Sequence, residues 1–186
     1  KLGDPSKFET QVGPVTTPPQ YQKILSYIDI AKGEGAKCVL GGGAATAAEG
    51  GGTYFVKPTI FTGVHNKMRI AQEEVFGPVL SVIPFKDEEH AIQIANDVIY
   101  GLGSGVWTTN VSRALNCAKR IRAGTVWVNT YRAVSPLMPF GGYKASGLGR
   151  ENGASAIEEY LQYKSVWINL GGNSGNPFVM KTAAPT

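Results

Sequence analysis

Residues 79–129 decide the fold. They open with Val79-Leu80-Ser81-Val82-Ile83-Pro84-Phe85, return to apolar character at Gly103-Ser104-Gly105-Val106-Trp107, and do so again at Thr125-Val126-Trp127-Val128-Asn129. Each run is short enough for a buried strand, and the two intervening segments carry apolar residues at helical spacing. The reading is therefore strand 79–85, helix 87–98, strand 103–107, helix 110–122 and strand 124–129. Asp87 can cap the first helix, with Glu88 and Glu89 favouring its positive end, and Ala91, Ile94, Ala95 and Val98 form its buried stripe. Asn110 can cap the second. There Val111, Ala114, Leu115, Ala118 and Ile121 face inward, and Lys119, Arg120 and Arg122 complement the carboxyl end before Gly124. Two successive βαβ units predict an α/β fold with a parallel sheet and helices packed on it, and such sheets gather ligands at the carboxyl ends of their strands.

Downstream, Thr130-Tyr131-Arg132-Ala133-Val134-Ser135-Pro136-Leu137-Met138-Pro139-Phe140 follows the last strand. A mostly apolar loop of this length beyond the sheet's carboxyl edge either buries itself or lines a pocket. Next comes Phe140-Gly141-Gly142-Tyr143-Lys144-Ala145-Ser146-Gly147-Leu148-Gly149-Arg150-Glu151. Its glycines fall one residue off the dinucleotide fingerprint and no strand immediately precedes them, so that spacing reads as a decoy. A helix over 149–161, a strand at 163–169 and a tail over 171–186 complete the chain.

Upstream, Gln72-Glu73-Glu74-Val75-Phe76-Gly77-Pro78-Val79 should end a short helical turn and hand the chain to a strand, because Gly-Pro cannot continue a helix. Glu74 and Phe76 then sit in a connection leading into the sheet, where function often resides. A carboxylate beside an aromatic ring suits a sugar joined to a heterocycle. The ordinary alternative is a solvated acidic pair followed by a core phenylalanine. Before this motif, residues 1–16 read as an extended lead-in. Thr17 and Gln20 form a capping box with Pro18 at the first helical position, and Tyr21, Ile24, Leu25, Ile28 and Ala31 share one face until Gly33 or Gly35 stops the helix. Cys38-Val39-Leu40 is a short strand, 41–52 a flexible glycine-rich loop without a phosphate-loop pattern, and 54–61 a strand in which Pro58 marks an edge.

Composition narrows the function. The 186 residues, 42% of them hydrophobic and 17% charged with 24 glycines, suit one loop-rich α/β domain. A net charge of +4 and a pI near 9.0 hint at an anionic partner. The cations are scattered, however, and no clustered basic face or aromatic-basic motif points to nucleic acid. Cys38 and Cys117 lie far apart, with no Cys or His at metal-ligand spacing. That argues against a zinc site and a disulfide framework and fits a reducing, cytoplasmic setting. No apolar run approaches the roughly 18 residues a membrane helix needs. Beginning at Lys1-Leu2-Gly3-Asp4-Pro5, the chain reads like the middle of a longer protein.

The motifs together resemble the aldehyde dehydrogenase superfamily. Glu73-Glu74-Val75-Phe76-Gly77-Pro78-Val79 looks like its acidic motif, and Pro139 to Glu151 looks like its Pro-Phe-Gly-Gly-x-Lys-x-Ser-Gly-x-Gly-Arg-Glu signature. Tyr100-Gly101-Leu102 and Gly124-Thr125-Val126-Trp127-Val128-Asn129 lie between them in the family's order. The similarity covers residues 1–170. It implies NAD(P)-dependent oxidation of an aldehyde to a carboxylate, in which a cysteine thiolate attacks, hydride leaves to nicotinamide, and glutamate-activated water hydrolyses the thioester.

By that resemblance, Glu74 holds the nicotinamide ribose hydroxyls, and Phe76 and Leu102 border the nicotinamide. Glu151 relays protons near the general base, with a salt bridge or helix-start charge as its plain alternative. Arg132, Val134 and Phe140 line the aldehyde channel. Residues 165–170 correspond to the strand with which subunits extend a neighbour's sheet, implying a homodimer or homotetramer. The division that follows is a partial catalytic domain over 1–161, an oligomerisation strand over 162–170 and a tail over 171–186. The family's nucleophile, general base and nucleotide-binding fold lie upstream of anything in this chain, so the chain alone is expected to be inactive. The competing readings are a non-catalytic folded module for assembly or binding and a stand-alone mononucleotide binder.

Overall fold

The computed structural model describes residues 1–172, so most of the expected tail, residues 173–186, lies outside the described residues. The chain first builds a small core around one helix. Thr17 caps α1 (Pro18–Gly33) by accepting from the Gln20 N–H at 3.4 Å, and two prolines open its first turn. Ile24, Ile28 and Ala31 recur at helical spacing and are fully buried, as the periodicity requires. They pack with Val56, Phe61, Val64, Met68 and Ile70. Burying side chains such as Ile24 and Phe61 stabilises the fold by roughly 1.5–3 kcal/mol each. Around this core lie β1 (Lys37–Leu40), β2 (Thr59–Thr62), the single turn of α2 (Arg69–Gln72) and β3 (Val79–Ser81). β1 and β2 are antiparallel with a bulge between Cys38 and Leu40, and β2 and β3 are parallel.

The second half is α3 (Glu88–Asn96), β4 (Tyr100–Gly101), β5 (Gly103–Val106), α4 (Val111–Arg120), β6 (Thr125–Val128) and β7 (Tyr143–Lys144). Asp87 and Asn110 cap α3 and α4 as expected, accepting from the His90 and Arg113 N–H groups. β5 and β6 form a parallel pair joined through α4, from Gly103↔Thr125 to Val106↔Val128. β4 and β7 form a short antiparallel pair that brings the Tyr100-Gly101-Leu102 turn beside the glycine-rich stretch.

The fold class is α/β with parallel strands, but the single sheet expected from 79–129 is divided. β3 pairs only with β2, and β5 only with β6 among the described strands. Between the segment that follows β3 and strand β5 lies a hollow of about 600 Å³ walled by Ile83, Phe85, Ile92, Val106, Trp107 and Ile121. The expected strand 79–85 stops at Ser81, short of Pro84, which has no N–H for a ladder. The expected strand 54–61 begins only at Thr59, after Pro58.

Other departures follow from packing. In α3 the buried residue is Ile92, and in α4 the inward face is Ala114 and Cys117, leaving Val111 and Leu115 exposed. Residues 41–52 are built rather than loose. Thr46 and Glu49 close a capping box over a 3-10 turn at Ala47–Glu49, and Lys57 pairs with Glu49 at 3.0 Å. The backbone N–H of Thr46, with help from Lys57, holds the Glu49 carboxyl at about 2. The expected helix over 149–161 is a 3-10 helix at Ala154–Tyr160. Among the described residues, the expected strand over 163–169 is absent, and residues 161–170 are exposed.

Candidate functional site

The two glutamates of the acidic motif are treated differently by their surroundings. α2 ends at Gln72, one residue before Glu73, whose N–H still donates to Arg69 O at 2.9 Å. The Glu73 carboxylate then accepts two hydrogen bonds from Arg69, from Nε and Nη2 at 2.8 Å each, and a third from the Tyr27 hydroxyl of α1. The Arg69 guanidinium also lies 5.4 Å from the centre of the Tyr27 ring. The hydrogen bonds from Arg69, with that from Tyr27, hold the Glu73 carboxyl at about 2. Glu74 is exposed, and its carboxylate has no hydrogen-bond or ion-pair partner among the described residues.

The other flank is clamped from α1. The Gln20 side-chain amide donates to Val75 O at 2.7 Å and to Phe76 O at 3.1 Å. Phe76 has φ +52°, and its ring is 72% exposed rather than in the core. A bulky residue there costs about 1–3 kcal/mol and persists only when its neighbours hold it. Gly77 follows in close contact with α1, where an added Cβ would lie 2.7 Å from Ile24, so only glycine lets the turn pass. Glu74 and Phe76 are thus presented to solvent by a turn held on both sides. Lys23 stands 6.0 Å from the Phe76 ring centre.

From this turn a string of hollows runs along the surface. One of about 420 Å³ is lined by Glu74, Phe76 and Ser81, among others. The next, about 370 Å³, shares Glu74 and adds Tyr100, Leu102, Arg122 and Ser146. A third, about 360 Å³, shares Leu102 and Ser146 and adds Phe140, Arg150 and Glu151. Glu74 and Glu151 therefore do not line one cavity, but adjoining ones bridged by Leu102 and Ser146. Ser146 is fixed there because its hydroxyl accepts from the Gly101 N–H at 2.9 Å.

The glycine-rich stretch is stapled by its two cations. Lys144 donates to Asn96 O at 3.0 Å and Val98 O at 2.8 Å, at the carboxyl end of α3, and burial lowers its pKa. Arg150 donates to Gly142 O and Gly149 O and lies over the Tyr143 ring at 5.3 Å. Glu151 is tied by its backbone alone. Its N–H and C=O pair with Phe140 at 2.8 and 2.7 Å, leaving its side chain exposed. Arg132 and Val134 are also exposed, on the loop after β6, and line none of the three hollows that hold Glu74, Leu102, Phe140 and Glu151.

Neither cysteine joins the string. Cys38 bonds to Leu40 O at 3.2 Å, and burial raises the pKa of Cys117, the opposite of an activated thiol. Among the described residues no cluster of His, Cys, Asp or Glu could hold a metal, and no helix is long and apolar enough to cross a membrane. Sequence reasoning missed Gln20, Lys23 and Ser146 as neighbours of the site. Gln20 was legible only as half of a capping box, because its amide reaches across 55 residues of sequence.

Comparison with known proteins gives the family and the fold. The profile of the Aldehyde dehydrogenase family matches residues 1–166. Acetaldehyde dehydrogenase 2 of Cupriavidus necator is 49% identical over 176 residues, covering 94% of this chain and 34% of that protein. Among solved structures, an indole-3-acetaldehyde dehydrogenase complexed with NAD+ superposes with TM-score 0.84 at 49% identity, over 91% of this chain and 34% of that one. Betaine aldehyde dehydrogenase from Staphylococcus aureus in complex with NAD+ superposes with TM-score 0.86 at 41% identity, over 96% of this chain and 36% of that one. The chain spans about a third of the length of the relatives it matches. With its motifs in order, its fold superposable and its profile matched over residues 1–166, the chain belongs to the aldehyde dehydrogenase family.

Proposed function

We propose that this chain is the carboxyl-terminal third of an NAD-dependent aldehyde dehydrogenase that oxidises an aldehyde to a carboxylic acid. The observation that carries the reading is the Glu74 carboxylate, unpartnered among the described residues, held between two clamped neighbours and facing a hollow shared with Leu102. A free carboxylate can accept from two vicinal hydroxyls at once, so Glu74 takes the nicotinamide ribose. The exposed Phe76 ring and Leu102 border the nicotinamide, a fit of flat apolar surface to a flat heterocycle. Bound there, NAD supplies the hydride acceptor. NADP is the alternative coenzyme, since the adenosine end falls to the rest of the protein.

Glu151, with its side chain in the adjoining hollow, relays protons. Phe140 lines the aldehyde channel beside it, and Arg132 and Val134 contribute to that channel from the loop after β6, where the cation favours anionic or polar aldehydes. The attacking cysteine, its thiohemiacetal and thioester, and the glutamate base belong to the remaining two thirds of the protein, so this chain alone does not turn over. Residues 162–170 pair with a neighbouring subunit in a homodimer or homotetramer. Free Cys38 and Cys117 fit a cytoplasmic location.

The test is aldehyde-dependent NADH formation by the full-length protein and by the 186-residue chain separately. Turnover by the first and none by the second is expected. No turnover by the full-length protein with any of a panel of aliphatic, aromatic and anionic aldehydes would leave the assembly-module reading. Turnover by the chain alone would place a nucleophile within it.

A further inference from the structure

The loop that carries Arg132 and Val134 is fixed at both ends. At its root Asn129 leaves β6 at φ +52° and exchanges two hydrogen bonds with the Thr108 backbone, at 2.9 and 2.8 Å. At its far end Phe140 pairs with Glu151, and the Gly153 N–H donates to Pro136 O at 2.9 Å. Between these anchors, residues 131–134 are all exposed and Arg132 sits at φ +59°. Such a backbone conformation lasts only where neighbours enforce it.

Among the described residues, the hydrogen bond and the ring contact that tie 131–134 down both come from Trp127. Its indole Nε1 donates to Ala133 O at 2.8 Å, directly after the strained residue. Its ring meets Tyr131 edge-on, with centroids 5.6 Å apart and planes at 74°. The neighbouring strand makes room for it: a Cβ on Gly103 would lie 2.9 Å from the indole. A tryptophan that only filled core would place its N–H anywhere a partner could be found. This one spends it on the carbonyl between the two residues of the proposed aldehyde channel.

We propose that Trp127 is a positioning residue that pins the loop at Ala133 and so sets how Arg132 and Val134 meet the aldehyde. The proposal rests on the channel reading given above. Loss of the pin lets Arg132 relax to negative φ, which redirects its side chain and that of Val134 together. Trp127→Phe keeps an aromatic ring on the side of Tyr131 while removing the donor and the outer edge of the indole that meets Gly103.

Two measurements on the full-length protein test it. The first is kcat/KM for a carboxylate-bearing aldehyde relative to a neutral aldehyde of equal length. The second is the rate of tryptic cleavage after Arg132, which needs no activity. In Trp127→Phe the selectivity ratio should shift on the order of tenfold, the worth of one hydrogen bond. Cleavage after Arg132 should accelerate, while the KM for NAD and the thermal midpoint stay near wild type. Tyr131→Ala, which removes the other tie, should move both readouts in the same direction and serves if Trp127→Phe does not fold. Unchanged cleavage overturns the proposal, as does a uniform fall in kcat/KM for every aldehyde with the ratio intact. Faster cleavage in a protein that oxidises no aldehyde would sustain the pin and sink the dehydrogenase reading instead.

Discussion

Glu73 and Glu74 are adjacent carboxylates with opposite fates, and the difference was not legible in the sequence. Glu73's partners are Arg69, four residues back, and Tyr27, 46 residues back, and only the packing of α1 on α2 brings the tyrosine near. Family resemblance points to the second glutamate, and of the pair it is Glu74 that has no partner among the described residues. The clamp on Glu73 has a pH consequence. Its folded carboxyl titrates at about 2, below the value of about 4.5 for an unperturbed one. A depressed carboxylate stabilises the fold fully above the unfolded value and loses that contribution as pH falls towards the folded one. Denaturation midpoints of wild type should therefore fall between about pH 4.5 and 2, and Glu73→Gln should flatten that part of the profile. Identical profiles would remove the clamp from the account.

At the scale of elements, the local pattern locates the amino-terminal caps of α1, α3 and α4 but not every buried face. α4 turns Ala114 and Cys117 inward and leaves Leu115 58% and Val111 72% exposed, because β5, β6 and α3 meet only one side of it. The strands expected at 54–61 and 79–85 overrun their ladders because an apolar run does not reveal where ladder partners stop, and Pro58 and Pro84 mark limits that hydropathy passes over. The capping box was half right. Thr17 caps α1, while the Gln20 side chain spans Val75 O and Phe76 O and so joins α1 to the acidic motif. Replacing both donors at once, in Gln20→Leu, should let the Phe76 turn relax. Titration of the full-length protein with NAD should then show binding weakened by roughly 5- to 30-fold, the worth of one to two hydrogen bonds, with aldehyde KM little changed. Unaltered NAD affinity would make the clamp a matter of folding alone.

At the scale of the molecule, βαβ order gave the α/β class, but not the division of the sheet, because strand order is a long-range property that local pattern does not carry. The free edges of β3 and β5 and the exposure of Leu148, Trp167 and Leu170 at 100%, 94% and 93% leave much apolar surface uncovered. In the proposed reading the rest of the protein and a neighbouring subunit cover it. The isolated chain should therefore self-associate with rising concentration in sedimentation, and Trp167→Lys in the full-length protein should reduce its assembled mass by light scattering. The central claim is that this chain supplies the ribose-holding wall of a redox site whose sulfur lies elsewhere. Single-turnover NADH formation by the full-length Glu74→Gln variant tests it most directly. The account predicts hydride transfer slowed at least tenfold, with the nucleophilic thiol still alkylated at the wild-type rate, because only the nicotinamide is misplaced. A single-turnover rate equal to wild type would contradict it.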